Sequence, residues 1–202
     1  LMEPGHVDDA LAAREECHVA AERANVTAPL AYARAHMALS LAHLGDIDRA
    51  FMLLEEAQLL RDGVKLSNFL SLPELGQAQL HILAGNPEKA QQALPGSKDR
   101  LELSRSEPII FSLVINTEIM LRLALEGYDE ALAAVDEAID LVEQGGLALV
   151  LPELLLLKAR TLIGLDRREE AAGLLTVAAN LARSSGAKKT LLPILALQRK
   201  VE

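Results

Sequence analysis

The sequence predicts an all-α fold, a right-handed superhelix (solenoid) of antiparallel helical hairpins with about 40 residues per repeat. Half of the residues are apolar but only 2% are aromatic, which is typical of Leu/Ala-rich helices that pack closely. Prolines recur about half a period from glycine-containing turns, where the first turn of a helix tolerates them. The repeat itself is marked by alanines spaced 40, 40, 41 and 40 residues apart: Ala10, Ala50, Ala90, Ala131 and Ala171.

A short turn block precedes each of these alanines. The blocks are residues 5–10, 45–50, 85–90, 127–131 and 164–171, and each begins with glycine. Glycine readily takes the left-handed conformation that ends a helix, and an Asp or Asn that follows it caps the next one. Acidic residues crowd the first turn after each block, where they suit the positive end of the helix dipole.

This punctuation predicts ten alternating helices in one repeat domain that spans residues 1–202. The predicted helices are 7–24, 29–44, 47–62, 70–84, 87–94, 108–126, 128–144, 151–163, 167–184 and 189–200. The predicted units are 1–25 (partial), 26–65, 66–106, 107–146, 147–186 and 187–202 (partial). Unit 66–106 is irregular because Pro95-Gly96 shortens its second helix, and part of the polar stretch 97–107 is predicted to form a short helix.

The second helix of each hairpin carries a heptad-spaced packing stripe. An apolar residue stands four positions after the repeat alanine, and a small residue stands seven positions after it. The apolar members are Leu54, Leu94, Val135 and Leu175, and the small ones are Ala57, Ser97, Ala138 and Ala178. By this register Cys17 is expected in a small packing slot, while Arg14 interrupts the apolar set.

Composition narrows the classes of function. The formal charge is −9 and no basic run stands out, so direct nucleic-acid binding by this segment is not expected. The single cysteine cannot form an internal disulfide, which favours a reducing, cytoplasmic setting. Neither a signal peptide nor an apolar run long enough for a membrane span is visible. A first residue that is Leu rather than Met indicates a fragment of a larger protein.

No set of residues has the pattern of a catalytic or metal centre, so neither catalysis nor a cofactor is expected. The five histidines form no His-x-x-x-His pair of the kind that binds zinc, although His36 and His43 are seven residues apart and could share a helical face. Cys17 has only His18 as a local base, and neighbours on a helix point about 100° apart. Paired carboxylates such as Glu55-Glu56 are interpreted as solvated faces.

Polar residues recur on the first helices of the hairpins, which line the concave side of a superhelix. Counting eleven residues back from the turn glycines of the four complete hairpins gives a polar residue each time. These residues and their neighbours form the predicted polar stripe: Arg34, Glu74, Asn116, Glu153, Gln77, Glu118 and Lys158. The stripe is interpreted either as a binding surface for a peptide or small ligand, or as the solvent side of amphipathic helices.

The turn blocks and small-residue slots resemble the tetratricopeptide repeat (TPR), whose own period is 34 residues. The longer period, the proline-initiated first helices and segment 152–171 are similar to the variant in LuxR-type activators like the maltose regulon activator, and in ATPase-linked nucleotide cyclases of bacteria. The resemblance implies a sensor region between a nucleotide-hydrolysing module and an effector domain. Neither a phosphate-binding loop nor a basic helix-turn-helix is present in this chain.

We therefore expect a non-catalytic protein-interaction or sensor module of a larger bacterial signalling or transcriptional regulator. One alternative is a small-molecule effector domain, in which the irregular unit opens a pocket. Another is a self-association scaffold, a homodimer formed through the two end helices. A membrane partner is not expected.

Overall fold

The computed structural model describes residues 4–24, 26–62, 72–94, 108–145 and 148–201. In this part of the chain every regular element is an α-helix, so the predicted all-α class is confirmed. The helices are α1 (Pro4–Arg23), α2 (Thr27–His43), α3 (Ile47–Asp62), α4 (Leu72–Leu83), α5 (Pro87–Ala93), α6 (Pro108–Ala124), α7 (Tyr128–Gln144), α8 (Leu151–Gly164), α9 (Arg168–Ser184) and α10 (Lys188–Val201).

All ten predicted helices are present, and the predicted bounds of 47–62 and 128–144 match α3 and α7 at both ends. The short helix predicted within 97–107 lies outside the described residues. None of the described helices combines the length and the apolar composition that crossing a bilayer requires.

The described helices fall into two compact units: α1–α5 form the N-terminal unit and α6–α10 form the C-terminal unit. In the N-terminal unit, α2 packs against α1, α3 and α4. Its core is built mainly from alanine and leucine: Ala35, Ala38, Leu41, Ala42, Ala50, Leu54, Ala57 and Leu80. Alanine lets these helix backbones approach closely.

In the C-terminal unit, α7 packs against α6 and α8, while α9 packs against α8 and α10. One core cluster joins α6, α7 and α8, and a second joins α8, α9 and α10. Leu132, Ile139 and Leu151 pack against both clusters, so the core continues along the unit.

The predicted packing stripe is confirmed on α3, α7 and α9. Ala50, Ala90, Ala131 and Ala171 are each 0% exposed. Leu54, Val135 and Leu175 are also buried, as are the small residues Ala57, Ala138 and Ala178, whereas Leu94 is half-buried. The side chain of Ala10 and all of Ser97 lie outside the described set.

The prediction of a packing slot for Cys17 is wrong, because this residue is exposed. Its counterparts Ala57, Ala138 and Ala178 lie on helices that pack against the preceding helix of their own hairpin. Within the described residues α1 packs against α2, which follows it, and that contact buries Ala21 instead.

The four described turns that precede a repeat alanine close with the same six-residue hydrogen-bonded motif, which the end of α9 shares through the N–H of Ala187 and the carbonyl oxygen of Ala182 at 2.8 Å. The backbone N–H groups of Asp46, Asn86, Gly127 and Arg167 donate to the carbonyl oxygens of Leu41, His81, Arg122 and Leu162 at 2.9, 2.8, 2.9 and 2.8 Å. The residue before each donor has a positive φ: Gly45 (89°), Gly85 (74°), Glu126 (58°) and Asp166 (59°). Each of these residues precedes its repeat alanine by five positions.

The predicted left-handed role of Gly127 and Gly164 is therefore wrong. Gly127 has a φ of −80°, and Gly164 is the last residue of α8. Gly164 stands instead where the ring of Tyr128 packs so closely that a Cβ atom would overlap it. The side-chain cap predicted for Asn86 is also absent, because its amide donates to the carbonyl of Ala84 at 3.2 Å.

Glu126→Gly is expected to stabilise the chain by about 0.5–1 kcal/mol, because a side chain in the left-handed region carries a steric cost that glycine avoids. Urea unfolding measures this change in free energy. Glu137→Gly is the matched control, a glutamate inside α7 that is also exposed, and it is expected to destabilise by about 1 kcal/mol. Equal destabilisation by both substitutions would contradict the strained turn.

Candidate functional site

The polar stripe divides between the two units. Arg34 lies on α2 and Glu74 and Gln77 lie on α4, whereas Asn116 and Glu118 lie on α6 and Glu153 and Lys158 lie on α8. Only Glu153 is exposed. Asn116 and Glu118 are buried at 6% and 8% exposure, and the other four are half-buried. The stripe is therefore not simply the solvent side of amphipathic helices.

Arg34 holds three helices of the N-terminal unit together. Its guanidinium lies 3.4 Å from the Glu22 carboxylate of α1 and 3.2 Å from the Glu56 carboxylate of α3. His18 Nε2 is also 3.4 Å from Glu22. Because Arg34 is only 19% exposed and already faces two carboxylates, its first role is to bridge helices.

Gln77 makes a similar link between α4 and α3. Its Oε1 accepts a hydrogen bond from Gln58 Nε2 at 3.4 Å. Arg34 and Gln77 each bond a residue outside the predicted stripe. Lys158, described in a later paragraph, does the same. Polar side chains of the first helices thus fix the spacing between neighbouring helices in their unit.

Asn116 sits in a stretch of α6, residues 114–119, in which every side chain is buried. The buried hydroxyl of Thr117 donates a hydrogen bond to the carbonyl oxygen of Leu113 at 2.7 Å. The Oδ1 of Asn116 is buried and accepts no hydrogen bond within the described part of the chain. A buried acceptor without a donor costs about 1–3 kcal/mol, so this amide is a place where a bound donor would be favourable.

Lys158 belongs to a charge cluster with Asp136, Arg167 and Glu170, which connects α7, α8 and the start of α9. Lys158 Nζ lies 2.6 Å from Asp136, and Arg167 donates two hydrogen bonds to Glu170 at 2.6 and 2.7 Å. The hydrogen bond raises the pKa of Arg167 and lowers the pKa of Glu170. Asp136 and Lys158 add to these two shifts, so the pairs reinforce each other.

Glu153 and Arg160 present opposite charges on α8. Both are exposed, and a separation of seven residues places them on the same helical face. Packing of neighbouring atoms lowers the pKa of Arg160, and the Glu153 carboxylate opposes that shift.

Sequence reasoning missed several residues that contact the predicted stripe or lie beside it. Asp136 and Glu56 lie on second helices, and no periodic signal joins them to Lys158 and Arg34. Arg160, two residues after Lys158 on α8, is not part of the predicted stripe. The spacing of Arg167 and Glu170, three residues apart on a helix, is a recognisable pairing signal.

His81 occupies a half-buried position on α4. Its ring centroid is 4.9 Å from that of Phe51, and its Nδ1 is buried with no hydrogen-bond partner among the described residues. Burial lowers the pKa of His81, and the positive charge of Lys89 lowers it further. The described residues contain no group of three or more His, Cys, Asp or Glu side chains arranged to hold a metal ion.

No protein-family model matches the sequence, and no curated protein shows significant similarity to it.

We expect the free energy of unfolding to fall as pH drops from about 7.5 to about 5.5, because unfolded His81 protonates near its ordinary pKa of about 6.5 while the folded residue resists protonation. The stabilising contribution is present above that pH and is lost as pH falls toward the lowered folded pKa. Urea unfolding across this range measures the slope.

The control variants separate His81 from other acids and bases. His81→Gln is expected to remove its share of the slope, and Lys89→Gln to reduce it by relieving repulsion. If the dependence of unfolding free energy on pH is unchanged in His81→Gln, His81 is not its source.

Proposed function

We propose that the chain forms a right-handed superhelix of TPR-like hairpins, and that it binds a protein or peptide without catalysis as a recognition module of a larger bacterial LuxR-type or related signalling regulator. The packing order of the helices carries this proposal. In the C-terminal unit α6 packs against α8, and α8 packs against α10. The intervening helices α7 and α9 make no extensive contact with each other in the described residues.

The difference in contact between first helices and second helices favours a curved row of hairpins. When the first helices of successive hairpins touch and the second helices diverge, the row bends with the first helices inside. In the N-terminal unit α2 and α4 also touch, whereas α3 and α5 make no comparable contact among the described residues. The inner layer of the C-terminal unit then presents Glu153 and Arg160 to a ligand.

The inner surface suits recognition by preorganised side chains. Helix-bridging contacts such as Lys158–Asp136 hold the polar groups near Glu153 and Arg160 in place before a ligand arrives. A surface that is already ordered loses little conformational entropy on binding. Two exposed charges of opposite sign select a partner segment that carries an acid and a base at matching spacing.

A display library of random peptides tests this surface. Peptides selected on the wild-type chain are expected to lose about tenfold in affinity for Glu153→Lys or Arg160→Glu. Each substitution reverses one charge of the chain, so that it repels the peptide charge that the wild-type residue attracted. The matched control is Asp140→Lys on the outer helix α7, which is also exposed and is expected to leave affinity unchanged. Binding that depends on Asp140 and ignores Glu153 and Arg160 would place the site elsewhere.

A second candidate is binding of a small-molecule effector, which is favoured by the buried Oδ1 of Asn116, an acceptor that has no donor among the described residues. A ligand donor at this oxygen would remove the cost of its burial. We expect a compound from a panel of sugars and metabolites to raise the melting temperature of the wild-type chain but not of Asn116→Leu, with Glu153→Gln as the variant that keeps the shift. A shift that persists in Asn116→Leu, or none with any compound, would reject this candidate.

A further inference from the structure

Leu149 is the most exposed large apolar side chain in the described part of the chain, at 76% exposure. It lies in the connection between α7 and α8, so helices of the same unit precede and follow it. Its exposure therefore does not come from either end of the chain. By contrast, Leu154 and Leu155 of α8 are packed in the core at 0% and 7% exposure.

The backbone places Leu149 on the same face as Glu153. The N–H groups of Glu153 and Leu154 donate to the carbonyl oxygen of Val150 at 3.1 and 3.3 Å. Val150 itself has helical backbone angles, with a φ of −87° and a ψ of −22°. The helical turn therefore begins before α8, and Leu149 stands about one turn ahead of Glu153.

Packing against α6, α7, α9 and α10 leaves α8 only a narrow exposed row. The exposed residues inside this helix are Glu153, Arg160 and Gly164. Because Leu149 precedes Glu153 by four residues and Arg160 follows it by seven, these three side chains lie on one face. At a rise of about 1.5 Å per residue, Leu149 stands about 6 Å and Arg160 about 10 Å from Glu153 along the helix axis. The row is therefore apolar, acidic and basic in a fixed order.

The apolar side chain in this row supplies what the two charges lack. Exposed ion pairs contribute little net affinity, because both partners lose hydration and side-chain freedom when they meet. Burial of a leucine side chain removes apolar surface from water and contributes considerably more. A partner that covers Leu149 and also faces Glu153 and Arg160 gains both affinity and selectivity.

We propose that Leu149 is the apolar anchor of the inner surface. Its partner is a peptide segment that carries an apolar, a basic and an acidic side chain in the order that matches Leu149, Glu153 and Arg160. This inference rests on the recognition proposed for Glu153 and Arg160, and it adds the side chain that binds beside them.

The test uses peptides that were selected on the wild-type chain and that Glu153→Lys and Arg160→Glu weaken. Their sequences are expected to place an apolar residue beside the basic residue and not beside the acidic one. Leu149→Ser is expected to weaken their binding about tenfold, as measured by isothermal titration calorimetry. Replacing the apolar residue of the peptide by serine is expected to weaken binding to the wild-type chain, but not to Leu149→Ser.

The matched control is Val177→Ser, which removes another exposed apolar side chain, at 51% exposure, from the outer helix α9. It is expected to leave affinity unchanged. Because Leu149 is exposed, Leu149→Ser is expected to keep the helical circular dichroism of the wild-type chain.

Equal affinity of Leu149→Ser and the wild-type chain for these peptides would overturn the anchor and leave recognition by Glu153 and Arg160 standing. The anchor would also be overturned by an equal loss in Val177→Ser, by a peptide apolar residue that matters equally to both chains, or by apolar residues beside the acidic one. If no selected peptide is weakened by Glu153→Lys or Arg160→Glu, the recognition proposal fails and the anchor fails with it.

Discussion

The close approach of two helices at a buried alanine, set by the turn five residues before it, is the constraint on which the hairpins depend. At all four described positions the alanine is 0% exposed, so a larger side chain has no room. The turn places a residue in the left-handed region and returns the chain through one N–H to carbonyl hydrogen bond of 2.8–2.9 Å. Spacing and direction of the second helix both follow from this short segment.

This constraint explains why so much of the fold was predictable. Helix ends are marked by residues with unusual backbone preferences, and the marks recur with the alanines, so all ten helices were located from the sequence. The left-handed residue was misplaced in two turns because glycine was taken as its marker. Counting five residues back from Ala131 and Ala171 gives Glu126 and Asp166, the residues that have positive φ. The buried alanine fixes which residue of the turn takes a positive φ. That residue is therefore left-handed even where it is not glycine.

The polar stripe was much less predictable, for a physical reason. A polar residue that recurs with the helical period is compatible both with solvent and with a partner on a neighbouring helix. Arg34 and Lys158 each pair with a residue on a neighbouring helix. Their partners Glu56 and Asp136 lie on second helices, where no periodic pattern in the sequence marks them. Burial of Asn116 and Glu118 depends on packing around α6, and the local sequence does not encode it. Exposure of Cys17 likewise depends on which helices surround α1.

These bridging contacts bear on how the proposed module discriminates between ligands. Charges that already face one another within a unit are partly neutralised, so they contribute little to binding and mainly keep neighbouring helices in register. Discrimination then falls to charges that remain exposed on the inner helices, such as Glu153 and Arg160 on α8. Since a helix fixes the distance between such charges, a partner is selected by the spacing of its own charges as much as by their sign. A repeat scaffold of this kind can therefore change its ligand through single exposed substitutions while its alanine-based core stays the same.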